Sequence, residues 1–251
     1  MSIFAYLGEK QGSAAQNFTS NDFGKVDGWF GGEQIHLLND VTRIHYETET
    51  IGSVAEIGVH HGRFFCLMNL LRRSQERAVA IDVFEDQASN FDNSGLGSRE
   101  AFERNVKNYG GGLEGVSVHT GDSLKLSPDQ LLKMTGGMPY RFVHIDGSHT
   151  AYACASDLAL FAKLLVPGGV IMVDDYYVDG WPGVSEGVAR YFLKETSVPV
   201  APFVMGFGKL LLTTKSHQSA HLEAFQRISP LNVRTMATHF DYPTMTVHRP
   251  Q

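Results

Sequence analysis

Five short apolar runs alternate with helical patterns across residues 54–175, and this alternation constrains the fold more than any other feature of the chain. The segments 54–59, 78–84, 116–120, 140–145 and 170–173 read as buried strands. Between them, Phe64, Phe65, Leu67, Met68, Leu70 and Leu71 recur at helical spacing, as do Phe102, Val106 and Tyr109 within 98–109. Ser127-Pro128-Asp129-Gln130 offers a hydroxyl cap, a proline at the first helical position and a reciprocating glutamine, which predicts a short helix. Leu158, Phe161, Ala162 and Leu165 mark a further helix over 152–166, closed by Pro167-Gly168-Gly169. Parallel strands need crossovers of a dozen or more residues, so the pattern predicts an α/β fold with a mostly parallel sheet and helices on both faces.

The sheet is expected to end differently from how it begins. Residues 202–205 and 210–213 are joined by Gly206-Phe207-Gly208-Lys209, too short for a helical crossover, which predicts a C-terminal antiparallel hairpin. The expected division is therefore one unit over 51–215, an N-terminal segment over 1–50 and a C-terminal extension over 216–251 packed on the same unit. Trp29 and Phe30, set among Gly24, Gly28, Gly31 and Gly32, suit a lid, an acceptor-binding arm or a contact in a homodimer.

Composition closes off several functions. With 21 Lys+Arg against 27 Asp+Glu, the formal charge of -6 provides no basic field for a nucleic-acid backbone, so no nucleic-acid partner is expected. The longest apolar stretch, residues 151–173, is broken by Asp157, Lys163 and Pro167, and no membrane association is expected. The first residues lack the basic flank and apolar core of a signal peptide, which makes the cytoplasm the expected location. Cys66 and Cys154 form no CxxC and read as buried thiols.

In an open parallel sheet, ligands bind beyond the carboxyl ends of the strands. Polar residues gather there: Glu56 and Gly58 with Gly62, then Asp82, then Gly121-Asp122-Ser123, then His144 and Asp146, then Asp174 and Asp175. One carboxylate at a strand end is as easily a helix cap, but five consecutive ends carrying acids suit a ligand rich in hydroxyls and amines with a cationic portion. The first turn lacks GxGxxG, which argues against a dinucleotide, while Asp82 is placed to accept from the two hydroxyls of a ribose. Asp146, Asp174 and Asp175 offer oxygen ligands for a hard divalent ion, Mg2+ by preference, provided that the chain turns after Val173 so that adjacent side chains face one site. His149, near the start of the next helix, would be kept neutral by the helix dipole and suits proton abstraction. His144 shares a strand face with Asp146 and ranks second as a base, a satisfied core histidine being nearly as good a reading. The pair His60-His61 reads as loop structure, and Trp29, Phe30, Tyr176, Tyr177 and Trp181 as aromatics near the mouth of the site.

Over residues 51–213 this order of motifs resembles the class I S-adenosylmethionine-dependent methyltransferases. Glu56-Ile57-Gly58-Val59-His60-His61-Gly62, His144-Ile145-Asp146-Gly147-Ser148-His149 and Val173-Asp174-Asp175-Tyr176 look like the metal-dependent sugar O-methyltransferases of the macrocin O-methyltransferase type. The resemblance implies a Rossmann-like sheet and a catalytic domain over 51–215. It implies that S-adenosylmethionine lies against Glu56, Gly58, Val59, Gly62, Asp82, Asp122, Ser123 and Asp146, that Asp146, Asp174 and Asp175 hold Mg2+, and that His149 is the base. The acceptor implied is a sugar hydroxyl, free or in an oligosaccharide, with a methylmannoside of mycobacterial polysaccharide as the narrowest expectation. His60 replaces the middle glycine of the usual D/E-x-G-x-G-x-G, and Arg63-Phe64 follow where small residues are frequent, which leaves the cofactor contacts open. Methyltransferases of catechols and other natural-product hydroxyls share the acid pattern. From other classes, His144-x-Asp146 could seed a non-haem iron oxygenase site, and a noncatalytic binding protein could keep the same fold.

Overall fold

The computed structural model describes residues 2–194, 197–231 and 233–248. Its strands are β1 Ser53–Ile57, β2 Ala78–Asp82, β3 Val116–Thr120, β4 Tyr140–Ile145, β5 Leu165–Val173, β6 Val200–Gly206, β7 Lys209–Thr214, β8 Val233–His239 and β9 Tyr242–His248. They form a single sheet in the order β3-β2-β1-β4-β5-β7-β6-β9-β8. The first five are parallel, β7 runs antiparallel to β5 and β6, and β9 pairs with β6 in parallel and with β8 antiparallel. The expected α/β architecture, mostly parallel with an antiparallel C-terminal part, is what the chain adopts.

The helices are α1 Glu9–Asn17, α2 Glu33–Glu47, α3 Arg63–Leu70, α4 Arg99–Tyr109, α5 Pro128–Met134, α6 Ala151–Ala162, α7 Pro182–Lys194 and α8 Gln218–Ile228. Their apolar faces cover the sheet in two layers. Leu37, Phe65, Phe102 and Phe225 pack on the face bearing Val54, Phe142 and Met172. Leu131, Leu158, Phe161 and Val188 pack on the face bearing Ala55, Val143 and Ile171. Strand residues therefore alternate between two cores, as the period of two requires when both faces are covered. The capping box of α5 is complete, with the Gln130 N–H donating to Ser127 Oγ at 3.3 Å and the Ser127 N–H to Gln130 Oε1 at 2.9 Å.

Two elements depart from the expectations. The helix predicted to reach Val166 stops at Ala162, and Pro167-Gly168-Gly169 lie inside β5, where the register against β4 jumps from Leu165 to Val170. Gly168 adopts φ 78°, and a side chain on Gly169 would stand 3.0 Å from the Tyr140 carbonyl, so these glycines form a bulge in the strand instead of a helix end. The C-terminal extension, weakly patterned in sequence, adds α8 and the β8–β9 hairpin to the same sheet. Its turn is Phe240-Asp241, both at left-handed φ of 47° and 65°, without the glycine that normally announces such a turn.

Candidate functional site

Parallel pairing aligns the strand ends. Hydrogen bonds continue one residue beyond the strands, from Gly58 N–H to the Ile81 carbonyl, Gly121 N–H to Asp82, Asp146 N–H to Ile57 and Asp174 N–H to Ile145, each between 2.8 and 3.0 Å. This continuation brings Glu56, Asp82, Asp122, Asp146 and Asp174 to one edge. A cavity of about 930 Å³ opens over that edge, and Glu56, Gly58, Val59, Asp82, Asp122, Ser123, Asp146, His149, Asp174 and Asp175 all line it. Its volume is within the range of small-molecule and cofactor sites. Gly62 lies just behind it at φ 91°, its Cα facing the Phe102 ring. At Gly58 a side chain would stand 1.8 Å from the Asp146 carbonyl, so only glycine lets the ends of β1 and β4 approach this closely.

Each acid has a different surrounding. Asp82 accepts from the backbone N–H of His60 at 2.7 Å and of Phe84 at 2.6 Å, which fixes its carboxylate at the rim. Asp122 caps the following turn through the Leu124 N–H at 3.0 Å, and Ser123 is buried beside Asp157. Glu56 and His144 are register partners on adjacent parallel strands, so their side chains share a face, and Nδ1 of His144 lies 3.1 Å from Glu56 Oε1. Phe64 stacks on the His144 ring at 3.8 Å. The other imidazole nitrogen stands 3.3 Å from Asp174 Oδ2, while Lys209 Nζ pairs with Asp174 Oδ1. Burial alone would depress the His144 pKa, but Asp174 and Glu56 raise it above the ordinary value. Lys209, followed by His144, outweighs burial at Asp174 and holds that carboxyl well below the usual range. Asp146 goes the opposite way: burial first, then the Asp174 charge, pushes it well above.

His149 stands just before Thr150, the N-cap of α6. Its backbone N–H donates to Asp92 Oδ2 at 2.5 Å, and Nδ1 lies 3.1 Å from the same oxygen. Nε2 lies 2.9 Å from Asp175 Oδ2, and Trp181 stacks on the ring at 3.9 Å. The expectation of a helix dipole holding this histidine neutral is corrected here. Burial does depress it, but Asp175 and then Asp92 outweigh both burial and dipole, and its pKa stands above the ordinary value. Asp92 itself is held at about 2: bonds from Ser94 and His149 overcome its burial.

The turn expected after Val173 is present, with Asp175 at φ 52°. It splits the acids into two groups whose ligand atoms lie within 4.8 Å of one another, His144 with Asp146 and Asp174, and Asp146 with His149 and Asp175. Carboxylate oxygens with one imidazole form a donor set that fits a hard or borderline divalent ion. Oε2 of Glu56 is a buried acceptor without a hydrogen-bond partner, and Glu56 lines the same cavity. His60 and His61 lie in the loop, as expected, their rings 4.0 Å apart and tilted by 30°, and belong to neither group. Cys66 and Cys154 are buried and unpaired. Sequence reading missed Lys209, Asp92 and Phe64. A lysine opening an otherwise apolar strand was a usable signal for Lys209, whereas Asp92 sits in an unpatterned loop that gave none.

Residues 55–176 match a family model described as a methyltransferase domain. Solved structures that share the fold of this chain include the following three. The O-methyltransferase NovP is 19% identical with a TM-score of 0.60, over 73% of this chain and 80% of that one. CalS11, a TDP-rhamnose 3'-O-methyltransferase of calicheamicin biosynthesis, is 16% identical with a TM-score of 0.52, over 79% and 85%. TomG from Streptomyces achromogenes, an O-methyltransferase of tomaymycin synthesis in complex with S-adenosylmethionine, is 19% identical with a TM-score of 0.53, over 85% and 95%. No curated protein matches the sequence. The matched segment runs from within β1 to the turn after β5 and includes every acid of the strand-end edge. Among the described residues no helix is long and apolar enough to cross a membrane.

Proposed function

We propose that the chain is an S-adenosylmethionine-dependent O-methyltransferase that methylates a sugar hydroxyl with the help of a divalent cation, Mg2+ by preference. The carrying observation is His149, fixed by Asp92 on one nitrogen and aimed by the other at the Asp146–Asp175 edge of the cavity. When bound, S-adenosylmethionine supplies an electrophilic sulfonium methyl, and a cation at Asp146, Asp174 and Asp175 supplies Lewis acidity toward the acceptor hydroxyl. Glu56 Oε2, the Gly58 turn and Asp82 offer acceptors for the amine and ribose of the donor. Asp92 keeps the proton on His149 Nδ1, and with Asp175 turned to the cation instead of to Nε2, that nitrogen would be free to take the acceptor's proton as the oxygen–methyl bond forms and the sulfur–methyl bond breaks, S-adenosylhomocysteine leaving. Trp181 holds the ring in that orientation. The acid-rich rim and aromatic walls suit a neutral polyol, and CalS11, which shares the fold, is a sugar methyltransferase by its description. A catechol-like acceptor is the second reading.

The test is calorimetric titration of metal-stripped protein with S-adenosylhomocysteine, with and without Mg2+, followed by turnover on a panel of methyl hexopyranosides. Micromolar cofactor binding and Mg2+-dependent turnover are expected. His149→Ala should keep cofactor and metal binding while turnover falls by about 10²- to 10⁴-fold. Full activity in chelator removes the cation from the reaction, and unchanged turnover in His149→Ala removes the histidine.

A further inference from the structure

A second cleft, of about 880 Å³, adjoins the first and shares Trp29, Phe30, Gln34, Arg63 and Lys209 with it. Its far side is formed by Tyr176 and Tyr177, the β6–β7 turn and the end of β9. The two cavities are joined covalently at the shortest possible range: Asp175 faces the first, and the next two residues face the second. The cleft's cations are engaged within the fold, while Glu33 and His248 also line it and offer polar groups that hydroxyls can meet. Arg63 is committed, its Nε donating to the Val26 carbonyl and its guanidinium lying 5.1 Å over the Phe23 ring, and Lys209 is buried against Asp174. An uncharged occupant fits.

The walls show what kind of uncharged occupant. Trp29 is 79% exposed and Tyr177 65% exposed, large flat faces that the fold leaves in water, Trp29 in the lining common to both cavities and Tyr177 in that of the second. Tyr177 has a further peculiarity. It adopts φ 59°, a conformation that costs a side-chain-bearing residue and that glycine would adopt freely, while its ring buries little. Its N–H is held by Ser185 Oγ at 2.9 Å and its ring rests 4.3 Å from Tyr176, so the strained backbone is fixed with the ring presented outward. Core packing does not account for an exposed aromatic in a strained turn; presentation to a ligand does. Flat aromatic faces without charge bind the C–H face of a pyranose ring.

We infer that the second cleft is an acceptor subsite that binds a further sugar unit, glycosidically linked to the one being methylated, stacked between Tyr177 and Trp29. This inference rests on the sugar reading above and adds that the acceptor is at least a disaccharide. The test compares methyl hexopyranosides (gluco, manno, galacto and rhamno) with the corresponding disaccharide glycosides, in the wild type and in Tyr177→Ala, Tyr177→Phe and Tyr177→Gly. In the wild type the second unit should lower KM by about tenfold, in line with one aromatic stacking contact. Tyr177→Ala should lose most of that gain, with kcat and S-adenosylhomocysteine binding within about twofold, and Tyr177→Phe should keep it. Tyr177→Gly should lose the gain and raise the unfolding midpoint by about 2 °C, because relief of the turn and loss of the platform are separate effects. Equal KM for single sugars and disaccharides in the wild type, or an equal loss on both in Tyr177→Ala, overturns the subsite alone. Cofactor binding without turnover of any sugar, long or short, overturns the sugar reading and the subsite with it.

Discussion

The two ends of β4 carry buried charge in opposite styles. At its start, Arg141 is buried and grips Glu76 with two bonds, Nε to Oε1 at 2.8 Å and Nη2 to Oε2 at 2.9 Å. Glu76 also accepts from Arg73 Nη1 at 3.1 Å and from the Arg73 backbone at 2.9 Å. His45 completes the cluster as a neutral ring. A carbonyl can only accept, so its Nε2 donates to Gly168 at 3.1 Å, and a guanidinium can only donate, so its Nδ1 accepts from Arg141 at 3.3 Å. Burial, and then Arg141, keeps the His45 pKa well below the ordinary value. At the other end, Glu56, Asp146, Asp174 and Asp175 crowd around one lysine and two histidines, and Glu56 leaves a buried oxygen without a partner. Satisfied buried charge of both signs holds a fold together, whereas surplus charge of one sign with open acceptors marks a place that waits for a ligand.

That contrast breaks if the two ends respond alike to mutation. Arg141→Met leaves Glu76 buried without its bidentate partner and should cost about 3–5 kcal/mol in denaturant unfolding. Asp146→Asn should leave stability equal or higher, because it removes a carboxylate that burial and Asp174 already push toward the protonated form, while turnover collapses. If Asp146→Asn destabilised as much as Arg141→Met, the strand-end acids would be structural and the functional reading of the edge would fail.

The sequence carried the strand ends well because parallel pairing is regular. Once 54–59, 78–84, 116–120 and 140–145 are strands, their C-terminal polar residues must meet, and Asp82, Asp146 and Asp174 do. Contacts across the sheet from elements without period were illegible. Asp92 comes from the irregular stretch between β2 and α4, and nothing in its surroundings repeats. Lys209 reaches Asp174 only because β7 inserts between β5 and β6, an order that no local pattern encodes. The Phe240-Asp241 turn hid the last hairpin because neither residue is a glycine. His149 shows the limit of one-dimensional electrostatics: its position at a helix start was readable, its two carboxylate neighbours were not.

A second test of the comparison lies below the site. Asp157 on α6 is buried beneath Ser123, and burial pushes its pKa up to about 7. The folded chain therefore keeps this proton while the unfolded chain releases it near the ordinary value of about 4. Between those pH values the unfolded state binds fewer protons, so stability is fully present below about pH 4 and falls as pH rises to about 7. Asp157→Asn removes the titration, and wild type minus variant should lose about 4 kcal/mol across that window in urea melts. A flat difference would mean that Asp157 is solvated or paired in the folded state. It would then belong with the satisfied cluster at the other end of the sheet.

The smallest effect separates positioning from structure at the site itself. Asp92 touches His149 and Ser94 and is placed to orient the ring, not to meet the acceptor. Asp92→Asn keeps an acceptor for the His149 backbone N–H but loses the charge that holds the proton on Nδ1. A supporting carboxylate behind a working histidine typically accounts for about tenfold in activity, so kcat should fall about that much with KM for the acceptor unchanged. Asp92→Ala, which also frees the loop, should lower kcat further and raise KM. Equal kcat in wild type and Asp92→Asn would show that the Trp181 stack alone sets the ring. The surplus charge of this edge would then act through Asp146 and Asp175 without a tuned histidine between them.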